Sequence, residues 1–419
     1  MLDFLTTTVI LLGVVVILGY FNERVTKLTY EISLMLFSTI IGAVLLAVAV
    51  AAEGTTVSAF LGQLQGFDLE SFLMEGVLCF MLFAGSCHMR LLDFKKHSRV
   101  IGLLAIGATL LGALFYGLLF YGVSALLGLD LSLPVCLMFG SITAPTDPIA
   151  ATSILKKFNL PENISFIMEG ESLLNDGVGV ALFVCFSGMV TAESEGGFFA
   201  VMAKELFGAI LVGTIVTAVL FPIFKRTADG TRQIFTSLLA VALAYVLCEH
   251  FGFSGAIASV VCGVLFSGLR NYSEAQNEPL NLEAFDEFWH ILDTLLNSLL
   301  YVMLGFSFLR ILQMENVLVL SFAAIMINLV CRACSVGTAS LFAGKLPDGY
   351  DKMNFIKLLT WGGLRGGLSV ALAMSTQSMV NETTYFIILG CTYAIVFFTT
   401  IVQGLTMPKV YDGIKASLK

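Results

Sequence analysis

The chain is 419 residues long; 58% of them are hydrophobic and only 12% are charged. Soluble domains carry about 25% charged residues, so a water-soluble globular protein is excluded. The net charge of −8 says little alone, because charge in such a chain informs through where it sits. The apolar runs reach the roughly 20 residues that a helix needs to cross a bilayer. None shows the alternation of barrel strands of about 10 residues, and the class expected is an all-α polytopic membrane protein.

About thirteen candidate spans follow one another. Spans 1 to 4 lie near residues 4–20, 30–50, 70–88 and 100–127. The first follows Asp3, with no basic segment before it and no clear small-residue cleavage site, so it reads as a retained helix. Span 4 carries Gly102, Gly107, Gly112, Gly117 and Gly122, a spacing of five that keeps no single helical face. It allows close packing at several contacts rather than one dimerisation stripe. Spans 5 and 6, near 133–155 and 164–190, hold most of the polar residues discussed below. Spans 7 to 9 lie near 198–223, 233–250 and 253–269. Span 10, near 288–312, begins beside an acidic amphipathic stretch from Glu274 to Glu287. Spans 11 to 13 lie near 316–344, 355–378 and 384–406. No linker or soluble regulatory domain interrupts them, and one integral membrane domain is expected over 1–419.

The basic residues give an orientation. Alternate loops place 18 of the 22 Lys and Arg residues on one side, among them Lys95, Lys96, Lys156, Arg226, Lys352 and Lys415. The other side keeps Lys204 and Arg310 beside Glu53, Asp68, Asp130, Glu193, Glu195 and Glu382. Basic loops stay cytoplasmic, so the N-terminus is expected outside and the C-terminus in the cytoplasm, with the chain in the inner membrane. Arg332 and Arg365 belong to neither side, because both lie inside apolar spans.

A charge within a span costs roughly 2.5–3.5 kcal/mol on insertion scales and persists mainly where it pairs or serves transport. Span 5 reads Pro145-Thr146-Asp147-Pro148. Two prolines without amide protons break the helical ladder there, and the freed carbonyls can coordinate a cation, as in transporter sites built on broken helices. Asp147 either caps the second half-helix or also shapes an ion site. In span 6, Ser172 and Asp176 share one face, as do Glu171 and Asn175. Hydroxyl, carboxylate and amide oxygens are hard ligands suited to sodium or protons rather than to transition metals. A polar seam between helices would not need two carboxylates within six residues. Arg332 and Arg365 each require an acidic partner when buried. Glu171 is the natural candidate for a structural ion pair with Arg332, which leaves Asp176 free to titrate. Four glycines surround Arg365 in span 12, which suggests a second interrupted helix to match span 5. Buried cysteines, including Cys331 and Cys334 within span 11, read as small hydrophobes. The four histidines lie near span ends and form no ligand cluster.

Thr146-Asp147-Pro148, Glu171-Ser172-Leu173-Leu174-Asn175-Asp176 and Gly362-Gly363-Leu364-Arg365-Gly366 together resemble the NhaP-type sodium/proton antiporters, relatives of the animal sodium/hydrogen exchangers. Phe288-Trp289, Asn297-Ser298 and Arg332 fit the same pattern, which runs along essentially the whole chain. The resemblance implies an inverted-repeat fold in which helices 5 and 12 are interrupted and cross. It implies a homodimer, with core helices about 70–190 and 288–378 and interface helices about 1–50 and 198–269. It implies Asp176 as the carboxylate that holds sodium or a proton, with Ser172 and the backbone at Thr146 as further sodium ligands. Asn175 and Asp147 would lie at the ion site, Glu171 would pair with Arg332, and Arg365 would belong to the core. Some relatives place an extra acid in helix 3, where this chain reads Leu82-Phe83-Ala84-Gly85; Glu75 lies about two turns away. The activity expected is electroneutral exchange of sodium or lithium for protons, without cofactor or nucleic-acid partner. Potassium/proton exchange is the alternative, and a cation channel a more distant one. No nucleophile–base set, phosphate loop or cofactor motif points to an enzyme.

Overall fold

In the computed structural model, residues 4–51, 77–87, 91–147, 151–152, 155–156, 158–191, 198–227, 229–275, 282–307, 317–344, 346 and 350–417 are described. They are helical, with short connections. Glu53, Asp68, Glu75, Pro148, Glu193, Glu195 and Arg310 lie outside the described residues.

The helices match the expected spans in order: α1 (Phe4–Phe21), α2 (Tyr30–Ala51), α3 (Leu78–Cys87) and α4, which runs from Leu91–Gly102 through a π turn into Thr109–Leu126. Then come α5 (Leu133–Thr143), α6 (Glu162–Thr191), α7 (Phe198–Arg226), α8 (Gly230–Phe251), α9 (Gly255–Ala275), α10 (Glu283–Ser307) and α11 (Val317–Phe342). Two pieces, α12a (Lys352–Trp361) and α12b (Gly367–Ser375), precede α13, which joins Glu382–Phe397 to Gly404–Ser417 through a π turn. Eight of the described helices are long and apolar enough to cross a membrane.

Local chemistry sets several ends. Pro134 sits in the first turn of α5, where no amide donor is needed. The carboxylates of Asp229 and Asp351 cap α8 and α12a, and the amide oxygen of Asn381 caps α13. Gly252 ends α8 at φ 66°, a conformation that favours glycine. Two boundaries differ from the hydropathy reading. Helix α4 begins at Leu91 and α13 continues to Ser417, because the helices persist into polar ends that no bilayer needs to cover.

The packing positions the breaks. Helix α5 lies between α4 and α6, while α11 packs on α4, α12a and α13. Contact between α4 and α5 is close enough that a Cβ at Gly140 would overlap the Ala113 carbonyl, and one at Gly117 would approach Cys136 O to 2.9 Å. Of the five α4 glycines, Gly117 makes that close approach, whereas Gly102, Gly107 and Gly122 face open space. On the other side, α7, α8 and α9 pack together, α3 lies against α9, and α10 against α2.

Candidate functional site

Helices 5 and 12 meet at their interruptions. The Asp147 N–H donates to Leu364 O at 2.8 Å, a backbone bond between the two breaks. Arg365 Nη1 donates to Ala144 O and Pro145 O, both at 2.8 Å, and Nη2 to Asn328 Oδ1 at 3.1 Å. The expected acidic partner is therefore replaced at Arg365 by carbonyls freed at the C-terminal end of α5. A helix C-terminus carries partial negative charge, so a guanidinium suits it without a carboxylate. Those two carbonyls thereby satisfy the guanidinium across the crossing.

Arg332 behaves similarly at the other break. Its Nε donates to Leu359 O near the end of α12a at 3.4 Å. Its two terminal nitrogens grip Glu171 at 2.8 and 3.0 Å, and both residues are buried. Asn175, one turn beyond Glu171, donates to Glu171 Oε1 (3.1 Å) and Thr146 Oγ1 (2.8 Å) and accepts from the Thr146 N–H (3.2 Å). Its amide oxygen is thus engaged with the backbone. Asn175 is not among the residues lining the cavity described next, and its hydrogen bonds clamp α6 to the break at Thr146.

On the adjacent stripe of α6 the side chains open into a cavity of about 380 Å³. It is lined by Thr146, Asp147, Ser172 and Asp176, and on other helices by Asp293, Asn297 and Ser369. Ser172 Oγ donates a short hydrogen bond to the Thr146 carbonyl. Among the described residues, the Asp176 carboxylate has no hydrogen-bond or ion-pair partner. Asp147 is held differently: the Tyr301 hydroxyl donates to its Oδ2 at 2.5 Å. A Cβ at Gly366 would lie 2.9 Å from that same oxygen, so the carboxylate stands just ahead of the first turn of α12b, at the positive end of a half-helix. Whether Asp147 also caps its own second half-helix rests on 148–150, outside the described residues. Toward one end the cavity reaches Lys156 and Glu169, an exposed ion pair at 2.9 Å.

Comparison with known proteins fits this geometry. The family described as "Sodium/hydrogen exchanger, transmembrane" matches residues 64–411. The chain belongs to the sodium/hydrogen exchanger family. It is 28% identical over 355 residues to the Na(+)/H(+) antiporter NhaP of Pseudomonas aeruginosa, covering 83% of this chain and 82% of that relative. It is 32% identical over 321 residues to the antiporter NhaH of Halobacillus dabanensis, covering 75% of each. The solved sodium proton antiporter MjNhaP1 of Methanocaldococcus jannaschii has the same fold: TM-score 0.74 at 18% identity, over 97% of this chain and 95% of that one.

In this exchanger-family chain the cavity also contains residues that the sequence reading passed over. Asp293 and Asn297 on α10 both line it, and Tyr301, a further four residues on, reaches Asp147. The signal was present as a polar stripe with a period of four. It was obscured by the acidic stretch preceding span 10, which made Asp293 resemble one more interfacial acid. Ser369, in the first turn of α12b, is buried and its hydroxyl has no partner among the described residues.

Proposed function

We propose that the protein exchanges sodium or lithium ions for protons across the cytoplasmic membrane, one for one. The observation that carries this reading is the Asp176 carboxylate, which faces a cavity with no protein partner among the described residues. A carboxylate so placed holds either a proton or a cation. Ser172 Oγ and the Thr146 carbonyl stand beside it and supply neutral oxygen ligands, as unwound backbone does in transporters with discontinuous helices. Asp147, fixed by Tyr301 and the start of α12b, adds negative field.

The stoichiometry follows from charge. Glu171 and Arg332 neutralise each other, and Arg365 is held by carbonyls, so neither arginine changes state. If Asp176 alone alternates between a proton and a sodium ion, both loaded forms carry equal charge and exchange is electroneutral. Because the two ligands compete for one carboxylate, apparent sodium affinity falls as pH falls.

Orientation supports a direction for the cavity. Arg99 and Lys352 bond the carbonyls of Phe342 and Leu341 at the end of α11, and Lys415 bonds Phe158 O after α5. These basic residues cluster at one end of the bundle, and Lys156 is at the cavity's exposed end. With basic loops in the cytoplasm, the cavity opens inward, the N-terminus lies outside and the C-terminus inside.

The test uses proteoliposomes with an imposed pH gradient. Adding sodium or lithium should dissipate the gradient through the wild-type protein, without response to a valinomycin-imposed potential. Folded Asp176→Asn should be inert. Sodium-driven proton movement by that variant would overturn the assignment of Asp176. A response to potassium alone would overturn the ion, and a clear voltage dependence the stoichiometry.

A further inference from the structure

The connection between α1 and α2 is tied by one buried side chain. Asn22 Oδ1 accepts from the Leu28 N–H (3.0 Å) and the Thr26 hydroxyl (2.6 Å), and its Nδ2 donates to Leu28 O (3.0 Å). Lys27 turns the chain at φ 53°, and its own N–H donates to Asn22 O at 2.8 Å. Because these bonds lie within the segment itself, the charged side chains beside Asn22 are not needed to hold the turn. Glu23 and Lys27 are both exposed.

Beside this turn lies a groove of about 540 Å³. Val15, Val16 and Gly19 of α1 form its apolar wall, and Glu23, Lys27 and Tyr30 form its polar end. Gly19 lets the Tyr30 ring lie close against α1, since a Cβ there would come within 3.1 Å of the ring. Among the described residues, the Glu23 carboxylate, the Lys27 ammonium and the Tyr30 hydroxyl have no hydrogen-bond or ion-pair partner. Arg24 is engaged elsewhere, over the Tyr20 ring at 5.7 Å. The polar end therefore offers one positive charge, one negative charge and one hydroxyl. The apolar wall continues into bare surface, with Val16 and Ile17 each 68% exposed. From Asn22 back to Val15 is about 10 Å of helix. With the N-terminus outside, that stretch runs from the cytoplasmic interface toward the bilayer centre.

The charges choose between occupants. A second copy of the chain seated on Val15 and Val16 would cover the wall and leave Glu23 and Lys27 unmatched. A purely anionic headgroup would meet Lys27 well but be repelled by Glu23. A zwitterionic phospholipid satisfies both, and basic pockets between helices on the cytoplasmic side are suited to phospholipid headgroups. Tyrosine, with its apolar ring and polar tip, belongs at that interface.

We propose that the α1–α2 groove binds one phospholipid of the cytoplasmic leaflet whose headgroup carries both a phosphate and an amine, as phosphatidylethanolamine does. Lys27 Nζ and the Tyr30 hydroxyl donate to the phosphate, Glu23 accepts from the ammonium, and an acyl chain lies along Val15, Val16 and Gly19.

Native mass spectrometry of the purified full chain, offered equal amounts of phosphatidylethanolamine and phosphatidylglycerol with identical acyl chains, tests this directly. Wild-type protein should retain phosphatidylethanolamine in preference. Lys27→Ala with Tyr30→Phe should weaken its binding by about tenfold or more, the loss expected for charge-assisted contacts to a phosphate. Glu23→Gln leaves the groove with a net positive charge and should reverse the preference in favour of phosphatidylglycerol. Phe keeps the ring that packs on Gly19, and thermal unfolding checks each variant. If the double variant does not fold, Glu23→Gln, which changes one exposed group, carries the decision. A wild-type preference for phosphatidylglycerol, binding indifferent to these substitutions, or an unchanged preference in Glu23→Gln overturns the proposal. An interchain disulfide in membranes that depends on Val16→Cys would assign the wall to a second copy of the chain and overturn it equally.

Discussion

Glu171 and Asp176 lie five residues apart on one helix, both carboxylates in a membrane interior, and their surroundings are opposite. Glu171 is gripped through both oxygens by Arg332 and steadied by Asn175. Asp176, rotated onto the neighbouring stripe, meets a cavity and no partner among the described residues. A carboxylate held by a guanidinium keeps its charge and fixes geometry, whereas a solitary one in a small cavity is available for exchange. Rotation around the helix, rather than residue type, separates scaffold from site.

The sharpest way to break this comparison is to neutralise each acid in turn. Asp176→Asn should abolish transport while leaving the thermal midpoint unchanged or slightly raised, because it removes a charge that repels Asp147 and Glu171. A large fall in the midpoint would mean that Asp176 is structural too. Glu171→Gln should do the reverse in stability, stranding Arg332 at a loss of roughly 3–5 kcal/mol. Combining it with Arg332→Gln should recover part of that loss; strict additivity in the cycle would show that the pair is not coupled. Gly366→Ala is a smaller perturbation, of about 1–3 kcal/mol for overpacking. It pushes on the Asp147 carboxylate, so sodium affinity should fall while the Glu171–Arg332 side stays intact. Tyr301→Phe is a perturbation of similar size. Losing one hydrogen bond to a charged group, worth roughly 1.5–3 kcal/mol, should raise the sodium KM without preventing turnover, as read in the same vesicle assay.

Much of this was legible in the sequence, for reasons that can be named. The two stripes of α6 follow from helical spacing alone, and the need of a buried arginine for a partner pointed Arg332 to Glu171. Each of the thirteen apolar runs contains a helix among the described residues, in order, and eight of these helices are long and apolar enough to cross a bilayer. Arg365 was harder: its partners are backbone carbonyls exposed by a break in another helix, and no side-chain pattern encodes them. Asn175 has the right atoms for an ion ligand, but its oxygen accepts from the Thr146 amide, which only the placement of α5 against α6 reveals. Asp293 was missed for a different reason. Its stripe with Asn297 and Tyr301 has ordinary helical spacing, but it follows closely on the acidic stretch from Glu274 to Glu287, against which one more acid does not stand out.

The crossing itself has a mechanical consequence. The Asp147 amide is bonded to Leu364 O, and the Arg365 side chain to Ala144 O and Pro145 O. The two breaks are therefore joined through three hydrogen bonds, which would have to break for one to move away from the other. If the joint stays closed during transport, the crossed pair travels as one piece, like a pivot pin travelling with its bearing. The Asp147 amide should accordingly be among the slowest in the protein to exchange with deuterium, although it lies next to a water-accessible cavity.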